Sequence, residues 1–396
     1  MQKIISVNSV KLPDAISEKR MLNSDKNHLD GTRLDAYDME QYDNDTVFYD
    51  VFFDIKNKYL YTVGPPFLNL QKILFPINCR INNDKKQYPL QVNEYFNKEI
   101  AIGRVSLKNL PLYDENLIEI DFNKRFQWSG RIKLNRFEIK PIILTTIQKD
   151  NRIRWINEWV EFYSRNFKID QTIIYDNNSS NRDDLKAISN EKLLIVSWPF
   201  KYGPIRSHDN QFCQRGSLNH CRLKFGSDNM IMNFDIDELL YLEKPELQRY
   251  INRYDLILFN AYRVPYVKPV SEDYSYKDFS FRDSEPQVGG RKYVYRPSSV
   301  IANDRHNVLL KKHRKSLYKR LKNRYAKLCE VQNKSWVLRC LLRVMSMILK
   351  MKIVPINEAY YLHYTGISTN WKSIYWNRKE DTSLTDKHVL FNIFKT

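Results

Sequence analysis

The chain has 396 residues, of which 42% are hydrophobic and 13% aromatic, which indicates two or three globular domains and excludes a disordered protein. The formal net charge is +18, but fourteen Lys or Arg residues and one acid, Glu330, lie between residues 311 and 352. Because the charge is concentrated in one segment without a recognisable binding motif, the sequence argues against a nucleic-acid-binding protein.

Cysteine usage and hydropathy predict the compartment. The five cysteines are scattered and have no C-x-x-C spacing, which favours neither a disulfide framework nor a zinc site and suits a reducing compartment. The polar sequence after Met1 is unlike a cleaved signal, and no uncharged apolar run reaches the length of about 18 residues that a membrane span needs. We therefore expect a cytoplasmic protein that does not span a membrane.

The first 140 residues divide into two parts. Residues 1–45 are polar with little periodicity, and we predict an extended or poorly ordered lead. Residues 46–140 contain recurring β-like runs, such as Tyr59-Leu60-Tyr61-Thr62-Val63, separated by Pro, Asn and Asp. This pattern predicts a small antiparallel sandwich that serves as a β-rich accessory domain.

Strand and helix patterns alternate over residues 141–310. Residues 142–146 and 172–175 are strand-like, and residues 154–163 between them have helical apolar spacing. This alternation predicts an α/β core, a mainly parallel sheet flanked by helices, with ligands at the carboxyl ends of its strands.

An apolar run at residues 230–234 ends in Asp235-Ile236-Asp237-Glu238. If extended geometry persists past the strand end, Asp235 and Asp237 face the same side and can share one cation. Hard oxygen ligands suit Mn2+ or Mg2+, which bind the diphosphate of a nucleotide. Acidic pairs are also common in solvated turns and at helix starts, so the motif needs support from its neighbours.

The segment 311–354 is a basic amphipathic helical region. Arg339, Arg343 and Lys350 fall on one helix face, and apolar residues cover much of the remainder. This pattern predicts membrane-surface contact through residues 311–352, and a basic helical hairpin packed on the protein is the alternative.

Several short motifs stand in a fixed order. They are Lys149-Asp150-Asn151, residues 155–159, Tyr175 to Ser179, Asn219-His220-Cys221, Asp235 to Glu238, Lys292 to Pro297, and His363-Tyr364. In this order and spacing they resemble the GT-A glycosyltransferases, specifically glycosyltransferase family 92 and its bacterial relatives close to family 2. The resemblance covers roughly residues 140–310 and 355–380, and it departs from the family in the first turn, which lacks the usual Glu.

The resemblance implies a GT-A fold, Rossmann-like and completed by residues 355–396. It also implies a metal-dependent enzyme that transfers a hexose from a UDP-sugar to a glycan or lipid-linked acceptor in surface polysaccharide biosynthesis. Such an enzyme would be cytoplasmic, or peripheral at the inner face of the cell membrane. The alternative is a non-catalytic membrane-surface or nucleic-acid-binding protein that uses the basic segment.

The same resemblance implies roles for individual residues. Mn2+ or Mg2+ would be bound by Asp235, Asp237 and His363. Donor contacts would come from polar groups near the strand ends, namely Asp176, Asn178, Arg206, His208, Arg215, Asn219, Arg296 and His306.

An inverting transfer needs a base to take the proton of the attacking hydroxyl. The candidate carboxylates are Glu238, Asp283 and Glu285. Glu238 is equally suited to cap a helix or to orient a neighbouring ligand.

Overall fold

The computed structural model describes residues 4–23, 34–54, 56–108, 110–134, 138, 140–204, 207–243, 247–266, 273–279, 281–314, 316–331, 334–367 and 388–389. Arg206, predicted to contact the donor, and most of the predicted 355–396 region after residue 367 lie outside these ranges.

The described residues form strands and helices that we number in chain order. The strands are β1 Ile4–Ile5, β2 Val10–Lys11, β3 Thr46–Phe48, β4 Asp50–Asp54, β5 Tyr59–Gly64, β6 Ile77–Ile81, β7 Tyr88–Pro89, β8 Gln91–Tyr95, β9 Ile100–Ser106, β10 Glu115–Phe122, β11 Phe126–Lys133, β12 Ile142–Gln148, β13 Gln171–Asp176, β14 Leu193–Ser197, β15 Met230–Asn233, β16 Glu238–Leu242, β17 Leu256–Val264, β18 Phe281–Arg282, β19 Gln287–Tyr295, β20 Val300–Asn303, β21 Val308–Leu310, β22 Met351–Ile353, β23 Ala359–Tyr364 and β24 His388–Val389. The α-helices are α1 Ala36–Gln41, α2 Gln71–Leu74, α3 Ile153–Phe167, α4 Arg182–Ile188, α5 Phe212–Lys224, α6 Leu247–Ile251, α7 Ser316–Cys329 and α8 Trp336–Leu349.

A ten-stranded sheet is the centre of the molecule. Its order is β1-β14-β13-β12-β15-β19-β17-β23-β16, with β22 paired to β17. Strands β1, β14, β13, β12 and β15 are parallel to one another, whereas β19 is antiparallel to both β15 and β17. The predicted α/β architecture is confirmed, and the sheet is mixed because strands from beyond residue 255 join the parallel half.

Helices cover both faces of this sheet. Along β12 and β13, Leu144 and Ile174 point to the face that packs on α3, while Ile143 and Ile173 point to the face that packs on α5. Successive side chains in a strand point to opposite faces, so a strand that is apolar at every position is buried on both sides. Ligands can therefore reach the ends of these strands more easily than the faces of the sheet.

Two four-stranded antiparallel sheets lie in the predicted accessory region. Their orders are β11-β10-β6-β7 and β4-β5-β9-β8, and their inward side chains form a separate apolar core. The β-like runs predicted near residues 47–53, 59–63, 100–105 and 117–122 are strands in the structure.

The described part of the predicted lead is in contact with the rest of the chain. Strand β1 pairs in parallel with β14 and so extends the central sheet. The buried guanidinium of Arg20 donates to the carbonyl oxygens of Pro66, Asp43 and Thr46 at 2.6–2.8 Å. These contacts hold the segment against residues 43–66.

Helices α7 and α8 form a hairpin on the α5 side of the central sheet. Tyr325 from α7 and Met345 and Leu349 from α8 are buried in the core on that side. Among the described residues, no helix combines the length and the apolar character required to cross a bilayer.

Candidate active site

A tight turn joins β15 to β16 at the carboxyl edge of the parallel strands. The Glu238 N–H donates to the Asp235 carbonyl at 3.0 Å, and the Asp235 N–H donates to Glu238 Oε2 at 2.8 Å. The prediction that extended geometry carries Asp235 and Asp237 to one side is therefore wrong. Strand β15 ends at Asn233, and the turn reverses the chain between the two aspartates.

Contacts from two directions hold this turn in place. The Tyr364 N–H donates to the Asp237 carbonyl at 2.7 Å. From α3, the Trp159 indole and the Tyr163 hydroxyl donate to the Glu238 carbonyl at 3.2 Å and 3.0 Å. The apolar face of α3 thus positions the acidic residues as well as packing on the sheet.

His363 reaches the turn from the neighbouring strand. In the antiparallel pairing of β16 with β23, Glu238 lies opposite His363. His363 Nε2 is 3.4 Å from Asp237 Oδ2. Asp237, Glu238 and His363 each offer a ligand atom, and these atoms lie within 4.8 Å of one another.

Asp235 has a different environment from the one predicted. Its Oδ2 lies 2.6 Å from the Nζ of Lys292, which is 1% exposed and also lies 3.1 Å from Glu238 Oε2. Burial opposes the charged form of Lys292, but the negative charges of Asp235 and Glu238 outweigh it and raise the Lys292 pKa. Glu238, rather than Asp235, completes the possible ligand group with Asp237 and His363.

The ionisable groups of the site shift one another's pKa values. Burial, with the charges of Asp235 and Asp237, raises the pKa of Glu238 to about 7 against the opposing effect of Lys292. Burial alone would lower the pKa of His363, yet the charge and hydrogen bond of Asp237 raise it to about 9. We call Asp235, Asp237, Glu238, Lys292 and His363 the edge cluster.

The loops after β12 and β13 lie at the same edge of the sheet. The Gln148 side-chain amide donates to Asp176 Oδ1 at 2.8 Å and to Ser179 Oγ at 2.9 Å. The buried Asp176 carboxylate thus accepts from Gln148 of β12 and from the Ser179 N–H, whereas Asn178 is exposed with φ at +59°. Both residues are on the edge predicted to bind the donor, two strands from the acidic turn.

Arg215 is buried and bound by the protein. It forms ion pairs with Glu99 at 2.6 Å and Asp304 at 2.8 Å, and it donates to the carbonyls of His208 and Gln211. These bonds use the N–H groups of its guanidinium. The prediction that Arg215 contacts the donor therefore does not fit the structure.

Asn219 also has a structural role. Its amide donates to the carbonyls of Arg215 and Asn303, and its oxygen accepts from the Asn303 N–H. Asn219 is 0% exposed. It joins α5 to β20 rather than facing a ligand.

His306 lies near the edge cluster, and His208 contacts Arg305, the residue before His306. His208 Nδ1 is 3.1 Å from the guanidinium of Arg305. Desolvation and the positive charge of Lys292 lower the pKa of His306 to about 4, against the opposing effect of Asp235. His306, one of the predicted donor-binding residues, is therefore within electrostatic reach of the acidic turn.

Arg296 lies at the opposite edge of the central sheet. It donates to the Asp228 and Ile251 carbonyls and borders a surface depression that includes the start of β15. Strand β19 runs antiparallel to β15, so Lys292 falls at the acidic edge and Arg296, four residues later, at the other. The prediction that Arg296 lines the donor cleft is wrong for this reason.

The remaining base candidates lie outside the ligand group. Asp283 pairs with Arg263 at 3.0 Å, and Arg263 lies opposite His363 in the β17–β23 pairing. Glu285 is exposed in the following loop. Asp283 is thus joined to the edge cluster by its ion pair with Arg263, which lies next to His363 in the sheet.

A second set of charged residues lies inside the protein. Asp50 Oδ2 is 2.8 Å from His220 Nε2 and 2.8 Å from Lys224 Nζ, while Tyr175 Oη is 2.7 Å from His220 Nδ1. We call Asp50, Tyr175, His220 and Lys224 the buried network. It joins β4 of the accessory region to α5 and β13, a role that the Asn-His-Cys motif did not reveal.

Lys292 is the main site residue whose role the sequence did not predict. Its position at the start of the Lys-x-x-x-Arg-Pro motif was the sequence feature that could have pointed to this role.

Comparison with models of known protein families finds no match, and comparison with curated proteins finds no relative.

Proposed function

We propose that this chain is a metal-dependent glycosyltransferase that transfers a hexose from a UDP-sugar to a glycan or lipid-linked acceptor in surface polysaccharide biosynthesis. The observation that carries the proposal is the Asp237, Glu238 and His363 group at the carboxyl edge of the parallel strands. Ligands of open α/β sheets bind at this edge. The proposal includes the GT-A fold that the motifs resemble.

The residues present fit a divalent metal. Two carboxylates and one imidazole form a donor set that suits Mn2+, and the 3.4 Å between Asp237 and His363 is compatible with two ligands of one ion. When bound, the metal would neutralise charge on the departing diphosphate. His363 would then serve as a neutral ligand and release its proton.

Lys292 and Asp235 have a supporting role in this proposal. The ion pair between them holds the turn and leaves Asp237 and His363 as the more open ligands, with side chains 23% and 30% exposed. The loop after β13, with the exposed Asn178, would contact the base or ribose of the donor.

The base would come from the carboxylates beside the ligand group. Glu238 is committed to Lys292 and to the turn, so it orients the site rather than accepting the acceptor proton. Asp283 pairs with Arg263, the neighbour of His363 on β17, and Glu285 lies two residues before Gln287, whose side chain is 3.4 Å from His363. Kinetic comparison of Asp283→Asn with Glu285→Gln distinguishes these two.

The deciding experiment measures UDP release from a panel of UDP-sugars, with Mn2+ or a chelator, by the native chain and Asp237→Asn. We expect metal-dependent release from one sugar and a loss of about 1000-fold in the variant, because metal stabilisation of the leaving group contributes several kcal/mol. Asp228→Asn is the matched control, since Asp228 is exposed at the opposite edge of the sheet.

Release that persists with the chelator, or that Asp237→Asn leaves intact, would refute the metal-dependent reaction. Thermal unfolding of both variants shows whether a loss of activity reflects the site rather than the fold.

A further inference from the structure

Helix α8 presents an apolar face to solvent. Trp336 is 72% and Met347 66% exposed, and both lie on the same side of the helix. The other exposed apolar residues of α8 are Val337, Leu341, Val344 and Ile348. An apolar face of this size on a surface helix marks an interaction site.

The residues of α8 divide into three strips. At 100° per residue the exposed apolar side chains cover an arc of about 140°. Met345 and Leu349 lie on the buried strip that packs on the protein. Arg339 and Arg343 form an exposed basic strip between the other two, and the exposed Lys350 follows at the C-terminal cap of the helix. Only one side of the helix is therefore needed to hold it on the protein.

Helix α7 adds further positive charge beside this face. The exposed basic residues of α7 are Lys319, Arg320, Arg324 and Lys327. Over residues 311–352 the only acid is Glu330. A surface that is apolar along one helix and basic around it is complementary to an anionic lipid bilayer.

A cavity of about 560 Å³ continues the basic surface from α8 onto the neighbouring elements. Arg343 and Met347 of α8 line it together with Arg249, Arg253 and Lys352. Glu243 and Glu358 also line the cavity, but the four cations exceed them. The cavity can therefore accept a phosphate group next to the apolar face.

We propose that the exposed face of α8 binds the surface of an anionic lipid bilayer. The apolar side chains enter the boundary between headgroups and acyl chains, and the basic residues contact lipid phosphates. A second copy of the chain is a poorer occupant, because a symmetric dimer through α8 would bring the basic strips of two molecules together.

The segment that leads into the bilayer-facing helix contacts the strand that carries Lys292. Glu330, at the end of α7, pairs with Arg291 at 3.3 Å. Arg291 precedes Lys292, which contacts Asp235. If the proposed function holds, this arrangement brings a lipid-linked acceptor to the edge cluster, whereas bilayer binding itself does not depend on that function.

The test is sedimentation of the full chain with vesicles of phosphatidylcholine alone or with about 30% phosphatidylglycerol at about 0.1 M salt. We expect at least a tenfold preference for the anionic vesicles. Arg339→Gln with Arg343→Gln should weaken that binding by about 20- to 30-fold, since each basic residue contributes about fivefold near an anionic surface.

Val344→Gln with Met347→Gln should weaken vesicle binding by about tenfold or more, because the apolar contact is lost. The matched control is Met21→Gln with Tyr113→Gln, which changes two exposed apolar residues elsewhere and should bind as the native chain does.

Equal binding of the native chain to both vesicle types, or a concentration-dependent dimer that the Val344 and Met347 changes abolish, would overturn the proposal. Hydrolysis of UDP-sugar without acceptor is measured on the same proteins. Unchanged hydrolysis with lost vesicle binding supports a separate bilayer surface. Absence of hydrolysis from the native chain contradicts the proposed function. The vesicle result still decides whether the α8 face binds a bilayer.

Discussion

The edge cluster and the buried network are built from the same kinds of residue but differ in their access to solvent. Asp50, His220 and Lys224 have side chains that are 0–2% exposed, and the protein supplies a partner for each. In the edge cluster, Asp237 and His363 remain 23% and 30% exposed. Both clusters contain an aspartate, a lysine and a histidine, so residue type does not separate a structural network from a candidate site.

The hydrogen-bond and ion-pair partners of a charged residue determine its role. The neutral His220 can donate from Nε2 to Asp50 and accept at Nδ1 from the Tyr175 hydroxyl, which satisfies both ring nitrogens. His363 instead contacts the partly exposed Asp237 and the side chain of Gln287, each at 3.4 Å. Stability should therefore depend on the buried network, and ligand binding on the edge cluster.

The largest expected effect is on folding. Asp50→Asn should lower the free energy of unfolding by about 3–5 kcal/mol, because it leaves the buried Lys224 ammonium without its carboxylate. Urea denaturation measures the change. Asp237→Asn should cost no more than about 1 kcal/mol, as expected for a partly exposed group. If the two variants were equally destabilised, the distinction between the clusters would fail.

The next effect is a pH dependence of stability. Burial and the positive charge of Lys224 lower the pKa of His220 from 6.5 to about 4, against the opposing effect of Asp50. Between those values the unfolded chain binds a proton that the folded chain does not, so stability falls as the pH drops from about 6.5 to about 4. The loss attributable to His220 is about 3 kcal/mol.

Denaturation of the native chain and of His220→Gln across this pH range checks the assignment. The variant should be less stable at neutral pH and should lose the part of the pH slope that belongs to His220. Asp50 adds its own loss of stability mainly below about pH 4, because its ion pair with Lys224 and its hydrogen bond from His220 outweigh burial and lower its pKa from 3.8 to about 2. An identical slope in both proteins would show that His220 titrates normally.

The last and smallest change that we expect is in the affinity of the edge cluster for Mn2+. Lys292→Met removes a positive charge 3.1 Å from Glu238 and should tighten Mn2+ binding by about tenfold, or about 1.4 kcal/mol. Isothermal titration calorimetry measures the affinity, and Lys56→Met, at an exposed lysine, is the control. Unchanged binding in Lys292→Met would mean that the metal does not bind next to Glu238.

Part of the fold was predictable because local pattern and burial agree. Strands β12 and β13 are buried at almost every position and carry the apolar runs Ile142-Ile143-Leu144 and Ile173-Ile174-Tyr175, as expected for strands covered on both faces. Helix α3 has the apolar spacing of a helix packed on one side. The addition of β1 to the sheet was not predictable, since the two residues Ile4–Ile5 are too few to show an alternating pattern of apolar and polar side chains.

The candidate site was predictable in position but not in its contacts. The acidic motif marked the end of β15, but Lys292 becomes the partner of Asp235 only after β19 pairs with β15. Four residues along a strand span about 13 Å, which is why Arg296 of the same motif lies at the other edge. Spacing in sequence could not show this, because it does not give the direction in which a strand enters a sheet.

The pairing of Glu238 with His363 across β16 and β23 has a consequence for biosynthesis. The third member of the ligand group is supplied by a strand more than a hundred residues downstream of the turn, so the group cannot assemble on the ribosome until residues 359–364 have been synthesised. Contacts of such long sequence separation form slowly during folding. The α/β core can therefore form the parallel strands β12 to β15 before it acquires its ligand group, and a chain whose synthesis stops before β23 would lack His363.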